Sequence, residues 1–151
     1  MQPRTRRRRG FTMIEVLFAI FLAGLCAAVL AASMPIATIS RTKADYRNKA
    51  TSLAQKQLEA IKALGYANVT STQLMAYGLI DNLTPVATNT FQWSNVDSAL
   101  QDSVGTSLPS GTATILVDQP DLDLRRVVVT VSWKEKGQTK SIQLGALVAN
   151  L

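Results

Sequence analysis

The feature that most constrains this chain is an apolar stretch close to its beginning. Residues 11–39 contain a single charged side chain, Glu15, and residues 16–32 contain no strongly polar side chain at all. As one helix, residues 11–39 would be roughly 44 Å long, whereas the hydrocarbon core of a bilayer is about 30 Å thick. The stretch therefore predicts a helix that spans a membrane and projects beyond it, with Gly24 and Pro35 as places where it can bend.

Five arginines lie directly before this stretch and supply most of the net charge of +6. Residues 11–151 hold 11 Lys and Arg against 10 Asp and Glu, a net charge of only +1. A basic block beside a membrane-length apolar run favours a flank that stays on the cytoplasmic side. We therefore interpret the arginines as a membrane-orienting signal rather than a nucleic-acid patch, and nucleic acid is not expected as a partner.

Three kinds of N-terminal segment fit this pattern. The first is an ordinary secretory signal, with small residues for cleavage near 30–33, and the second is a twin-arginine signal built on Arg8, Arg9 and Phe11. The third is a leader that is cut on the cytoplasmic side, directly before the apolar run. Glu15 separates them, because a carboxylate costs about 2.5–3.5 kcal/mol at the centre of a membrane helix and somewhat less near its end. An ordinary signal gains nothing from that cost.

A cut after Gly10 would create a cation that can pair with the Glu15 carboxylate. Phe11 would then carry a new, positively charged α-amino group within one helical turn of Glu15. In an assembly of parallel helices, Glu15 of one subunit can pair with the amine of its neighbour and so fix the alignment of the two helices.

Residues 9–17 (Arg-Gly-Phe-Thr-Met-Ile-Glu-Val-Leu) resemble the class III leader of type IV pilins and of type II secretion pseudopilins. In that family a prepilin peptidase cuts after the glycine and methylates the new first residue. The resemblance implies cleavage between Gly10 and Phe11, N-methylation of Phe11 and a role for Glu15 in subunit docking.

An amphipathic segment follows the apolar one. Its apolar residues recur at helical spacing, and Gly65 is a plausible stop. The sequence thus predicts one helix over about residues 11–64, whose second half needs a partner surface. The apolar stripe of that second half consists of Tyr46, Ala50, Leu53, Ala54, Leu58, Ile61 and Leu64.

The remainder of the chain predicts a small domain with a C-terminal antiparallel sheet. Residues 66–106 are mostly loop, with a short helix near 72–77 and one or two short strands. A turn is expected at 108–111. The β signal lies in three segments, of which the last two form a hairpin across a polar loop at 134–138. The segments are 112–117, 126–133 with Val127, Val129, Val131 and Trp133 on one face, and 139–148 with Ile142, Leu144 and Ala146 on one face.

The predicted fold class is therefore α+β: a long N-terminal helix packed on a small C-terminal antiparallel sheet, as in pilins. Four segments follow: a cytoplasmic leader that is removed (1–10), an apolar transmembrane or filament-core helix (11–39), its amphipathic continuation (40–65) and a globular domain (66–151).

The sequence contains few side chains that could take part in catalysis. There is no His, and the single cysteine, Cys26, lies within the apolar run. No nucleophile–base pair, phosphate-binding loop or metal-ligand cluster can be assembled, so we expect neither an enzyme nor a cofactor.

Two charged clusters are candidate binding sites. Asp118, Asp121 and Asp123 lie in an apparent proline-containing loop, where a calcium site is possible but a solvated acidic loop is the simpler interpretation. Basic residues on the strands suggest a rim for DNA or lipid, against the favoured interpretation of charged strand edges that discourage aggregation. These basic residues are Arg125, Arg126, Lys134, Lys136 and Lys140.

The function expected from the sequence is that of a minor pilin in a type IV pilus. The C-terminal hairpin and residues 53–61 are similar to PilV-like minor pilins. The alternatives are a pseudopilin of a type II secretion system and, in a different class, an exported binding protein with an ordinary signal. The expected partners are a prepilin peptidase, other pilin subunits and an inner-membrane assembly platform. The chain would be a single-pass protein of the bacterial inner membrane before it enters a filament.

Overall fold

Helix α1 runs from Met13 to Ala63 and continues through both Gly24 and Pro35. The computed structural model describes residues 11–96 and 102–150, without the side chains of residues 35–37. The single long helix expected over residues 11–64 is thereby confirmed to within two residues at either end. The leader, residues 1–10, lies outside the described residues.

The end of α1 is set by Gly65, as the sequence predicts. The N–H groups of Leu64 and Gly65 donate to the carbonyls of Ile61 and Lys62, each at 3.2 Å, which tightens the last turn. Gly65 then takes a φ of 73°, a conformation that side-chain-bearing residues rarely adopt. A short 3₁₀ helix, Tyr66–Asn68, follows.

The described chain divides into two units at Thr42. The unit up to Thr42 consists of the apolar part of α1 and the two residues before it. The unit from Lys43 onward contains the second half of α1 and every other helix and strand. In that unit, the expected stripe of α1 is buried at Ala50, Leu53, Ala54 and Ile61, while Tyr46, Leu58 and Leu64 are partly buried.

Among the described residues, the sheet has four antiparallel strands, which lie side by side in the order in which they occur along the chain. The prediction of at least three antiparallel strands is confirmed, and one of the short strands expected within residues 66–106 is also present. This strand, β1 (Thr90–Gln92), pairs only with the middle of β2 (Thr112–Asp121). The strands are β1 (Thr90–Gln92), β2 (Thr112–Asp121), β3 (Leu124–Glu135) and β4 (Gln138–Ala149).

Strand β3 forms the centre of the core with alternate residues, as its sequence predicts. Val127, Val129 and Val131 are fully buried and Trp133 nearly so. On β4 the partners of the three valines are Ala146, Leu144 and Ile142, which are half-buried. Both predicted apolar faces are therefore confirmed, and they lie side by side on the same face of the sheet.

The β3–β4 turn is tighter than expected. Glu135 pairs with Gln138, so only Lys136 and Gly137 connect the strands. Both have positive φ values, 48° and 80°, which suit the tight two-residue hairpin turn that Gly favours. The polar loop predicted over residues 134–138 is wrong in its length, because its ends belong to the strands.

The β2–β3 connection is also not the loop that the sequence suggested. Strand β2 continues to Asp121 through a register shift between Asp118 and Asp121. Pro120 therefore lies at a bulge, where its missing N–H leaves no ladder position unfilled. Only Leu122 and Asp123 form the turn.

Two short α-helices also lie in the described part of the second unit. Helix α2, Ser71–Ala76, begins where Thr70 accepts a hydrogen bond from the N–H of Gln73 at 3.3 Å, which is a side-chain cap. It confirms the short helix expected near residues 72–77. Helix α3, Val104–Ser107, was not predicted.

Gly111 lies so close to α3 that a side chain cannot fit. A Cβ atom there would be 2.3 Å from the carbonyl oxygen of Val104 and 3.0 Å from Leu108 Cβ. We expect Gly111→Ala to cost about 1–3 kcal/mol of stability and to lower the melting temperature by roughly 5–20 °C. Circular-dichroism melting of the full chain in detergent measures this change. The matched control is Gly145→Ala, whose Cβ would meet its nearest neighbour at an ordinary 3.7 Å. Equal melting temperatures for the two variants would contradict the steric argument.

Candidate processing and assembly site

Of the predicted site residues, Glu15 lies in the first turn of α1 and Phe11 lies just before the helix. The carbonyl of Thr12 accepts the N–H groups of Glu15, at 3.0 Å, and Val16, at 3.3 Å. Thr12 therefore caps the helix, and Phe11 stands just before it with 80% of its surface exposed. Gly10, the expected cleavage residue, lies outside the described residues.

Glu15 occupies the position in the helix where a carboxylate is most favourable. It lies in the first turn, beside N–H groups that have no partner within the helix, and the helix dipole favours negative charge there. Among the residues that the structure describes, no side chain pairs with the Glu15 carboxylate, which is exposed. The carboxylate can therefore accept a cation from outside its own chain.

The apolar part of α1 has no cover within its own unit. By length and composition, α1 is the one described helix that could cross a membrane. Burial of this much apolar surface by lipid or by other helices is strongly favourable, at about 25 cal/mol for each Å². The exposed large side chains are Met13, Ile14, Val16, Leu17, Phe18, Ile20, Phe21, Leu22, Leu25, Val29, Leu30, Met34 and Ile39.

Residues 5–31 match the family model described as the prokaryotic N-terminal methylation motif. This is a prepilin-type leader. The match supports a type IV pilin-like or pseudopilin-like protein, and the fold agrees with it: a long N-terminal helix packed on a four-stranded antiparallel sheet. No curated protein and no solved structure matches the chain significantly.

The three aspartates of this pilin-like chain do not form a cluster. Asp118 pairs with Arg126 at 2.7 Å, Asp121 accepts the N–H of Leu122, and Asp123 accepts the side-chain amide of Asn150. Within residues 11–96 and 102–150, no group of three or more acidic or cysteine side chains is placed to hold a metal ion. The loop needed for a calcium site is replaced by a bulged strand and a two-residue turn.

The basic strand residues are also separated. Arg125 and Arg126 lie on β3, which is an interior strand, so the expectation that they mark a strand edge is wrong. The Arg125 guanidinium donates to the carbonyl of Val69 and stacks over the ring of Tyr66, 4.7 Å from its centroid. Arg125 thus joins the segment after α1 to the sheet instead of forming a rim.

One buried polar contact was missed in the sequence. Gln57 lies on the stripe of α1, is fully buried, and donates through Nε2 to the carbonyl of Leu79 at 2.7 Å. It fixes the position of the loop after α2 against the helix. A signal was present, because Gln57 lies three residues after Ala54 and four before Ile61, which places it at helical spacing with two stripe residues.

Proposed function

We propose that this chain is a minor pilin of a type IV pilus. It is made as a prepilin, its Arg-rich leader stays in the cytoplasm, and a prepilin peptidase cuts between Gly10 and Phe11 and methylates the new amine. The mature helix waits in the inner membrane until an assembly platform moves it into the filament.

The observation that carries this proposal is the combination at the start of α1. A methylation motif over residues 5–31 overlaps the start of a helix whose first turn holds a carboxylate, Glu15, with no partner among the described residues, and whose apolar side chains are exposed. Parallel packing of such helices places one subunit's Phe11 amine beside the next subunit's Glu15. Charge pairing then offsets the cost of a buried carboxylate and fixes the stagger between neighbours.

The processing step has a direct test. Intact-mass and N-terminal analysis of the protein from its native cells should show loss of residues 1–10 and one added methyl group on Phe11. A mature chain that begins near Ser33 would instead identify an ordinary secretory signal and overturn the proposal.

The choice of a pilus has a separate test. Antibodies against the unit from Lys43 onward should label filaments at the cell surface. The resemblance of the β3–β4 hairpin to minor pilins favours this outcome. Labelling confined to the periplasm, with normal processing, would overturn the pilus assignment and favour the pseudopilin.

A further inference from the structure

A cavity of about 300 Å³ opens where the second half of α1 begins to pack on the sheet. Lys43 and Arg47, one helical turn apart on α1, line one side of it. Trp133 of β3 and Lys140 of β4 line the other. Three cationic side chains from two separate elements thus meet around one aromatic wall.

The sheet register explains why Lys140 faces this cavity. On β4 the apolar face runs through Val148, Ala146, Leu144 and Ile142, and the next position on that face is Lys140. It pairs directly with Trp133. A lysine therefore replaces the hydrophobic residue that would have closed the core.

The cavity has an excess of positive charge. Glu135, whose side chain is only 14% exposed, pairs with Lys43 at 3.1 Å and compensates one cation. In the described part of the chain, the Arg47 guanidinium and the Lys140 ammonium group have no ion-pair partner. A buried N–H group of Trp133 also lacks an acceptor among these residues. Such a surface suits a compact anion with several oxygen acceptors.

The position of these cations in the sequence indicates which kind of molecule supplies the anion. Lys43 follows the apolar residues 11–39 by only four positions. Residues 40–50 contain four basic side chains and one acidic side chain, a net charge of +3 at the end of the span that lies opposite the leader. Positive charge is normally depleted from the translocated flank of a membrane helix, so its presence here favours an interaction with anions at that flank.

We propose that this cavity binds the phosphate group of an anionic phospholipid in the leaflet opposite the leader. The proposal rests on the membrane anchoring proposed above. Lys43 and Arg47 contact the phosphate from the helix and Lys140 contacts it from the sheet, while the Trp133 ring forms the wall between them. Lipid binding would hold the second unit against the membrane surface before assembly.

The test compares matched double variants of the full chain in nanodiscs of phosphatidylcholine that contain a minority of phosphatidylglycerol. Arg47→Gln with Lys140→Gln removes the two uncompensated charges. Lys62→Gln with Lys134→Gln removes the same number of charges from α1 and from the other face of the sheet. Native mass spectrometry of the released protein gives the ratio of retained phosphatidylglycerol to phosphatidylcholine.

We expect that ratio to fall at least about fivefold in the cavity variant and to stay near the unsubstituted value in the control. Added inorganic phosphate should not displace the lipid, since a free ion lacks the membrane's contribution. Displacement by phosphate, or equal ratios in both variants, would overturn the lipid site.

Flotation with vesicles separates this proposal from the one on which it rests. If the unsubstituted chain fails to float, membrane anchoring and the lipid site are both overturned. If both variants float, keep their lipid ratios, and only the cavity variant fails to enter filaments, the cavity serves a neighbouring acidic protein surface and the lipid proposal is wrong.

Discussion

Replacing Glu15 with alanine is expected to leave cleavage after Gly10 intact and to reduce incorporation into filaments by at least about 100-fold. The physical reason is the cost of leaving one charge of a buried pair without its partner, about 3–5 kcal/mol. In the free chain Glu15 is exposed in the first turn of α1 and has no described partner. The substitution therefore does not destabilise the free chain. Its cost arises only in the filament, where the Phe11 amine of a neighbouring subunit is buried beside position 15.

Two further variants isolate the charge. Glu15→Gln keeps the size of the side chain and should fail as fully as alanine does. Glu59→Ala removes an exposed carboxylate from the second half of the same helix and should assemble normally. Immunoblots of sheared filaments, normalised to the membrane fraction, measure incorporation. Normal incorporation of Glu15→Gln would refute the ion-pair role.

Replacing Gly10 with valine is expected to abolish processing almost completely. The resemblance to prepilins places the cut directly after this residue, and only glycine lets the peptidase approach the backbone without meeting a side chain. The precursor should accumulate in the membrane with residues 1–10 attached. Since the amine of Phe11 is then still part of a peptide bond, it carries no charge, and assembly should stop as well.

The control for this variant lies in the same leader. Thr5→Val places the same valine side chain in the leader, five residues before Gly10, and should be processed normally. Intact mass of the membrane fraction separates precursor from product. A mature chain beginning at Phe11 in the Gly10→Val variant would show that the glycine is not the recognition element.

The elements that could be predicted from the sequence are those whose signal is local. The stripe from Ala50 to Ile61 repeats at the helical period, and the valines of β3 alternate at the strand period. Gly65 marks the end of α1 by its own backbone preference. The methylation motif is also local, because the whole match lies in one continuous stretch, residues 5–31.

The features that were missed depend on contacts between distant residues. Asp118 to Asp123 has the composition of a loop, but pairing with β3 extends β2 through a bulge. From the sequence, Arg125 is expected at the edge of the sheet. It lies inside the sheet because β4 pairs with β3. No sequence pattern indicated a structural role for Asp81. Its carboxylate accepts the N–H groups of Ser94 and Asn95, each at 3.0 Å, and so holds the segment after β1 in place.

The packing of α1 on the sheet also has a consequence for the order of synthesis. The stripe of α1 emerges from the ribosome early, but its cover includes Val127 to Val148 near the end of the chain. A chain cut short before β3 would keep the whole leader and membrane segment and lose the centre of its core. Under the proposed function, such a chain would be inserted and processed like the intact one, and only a later check on the folded domain would keep it out of a filament.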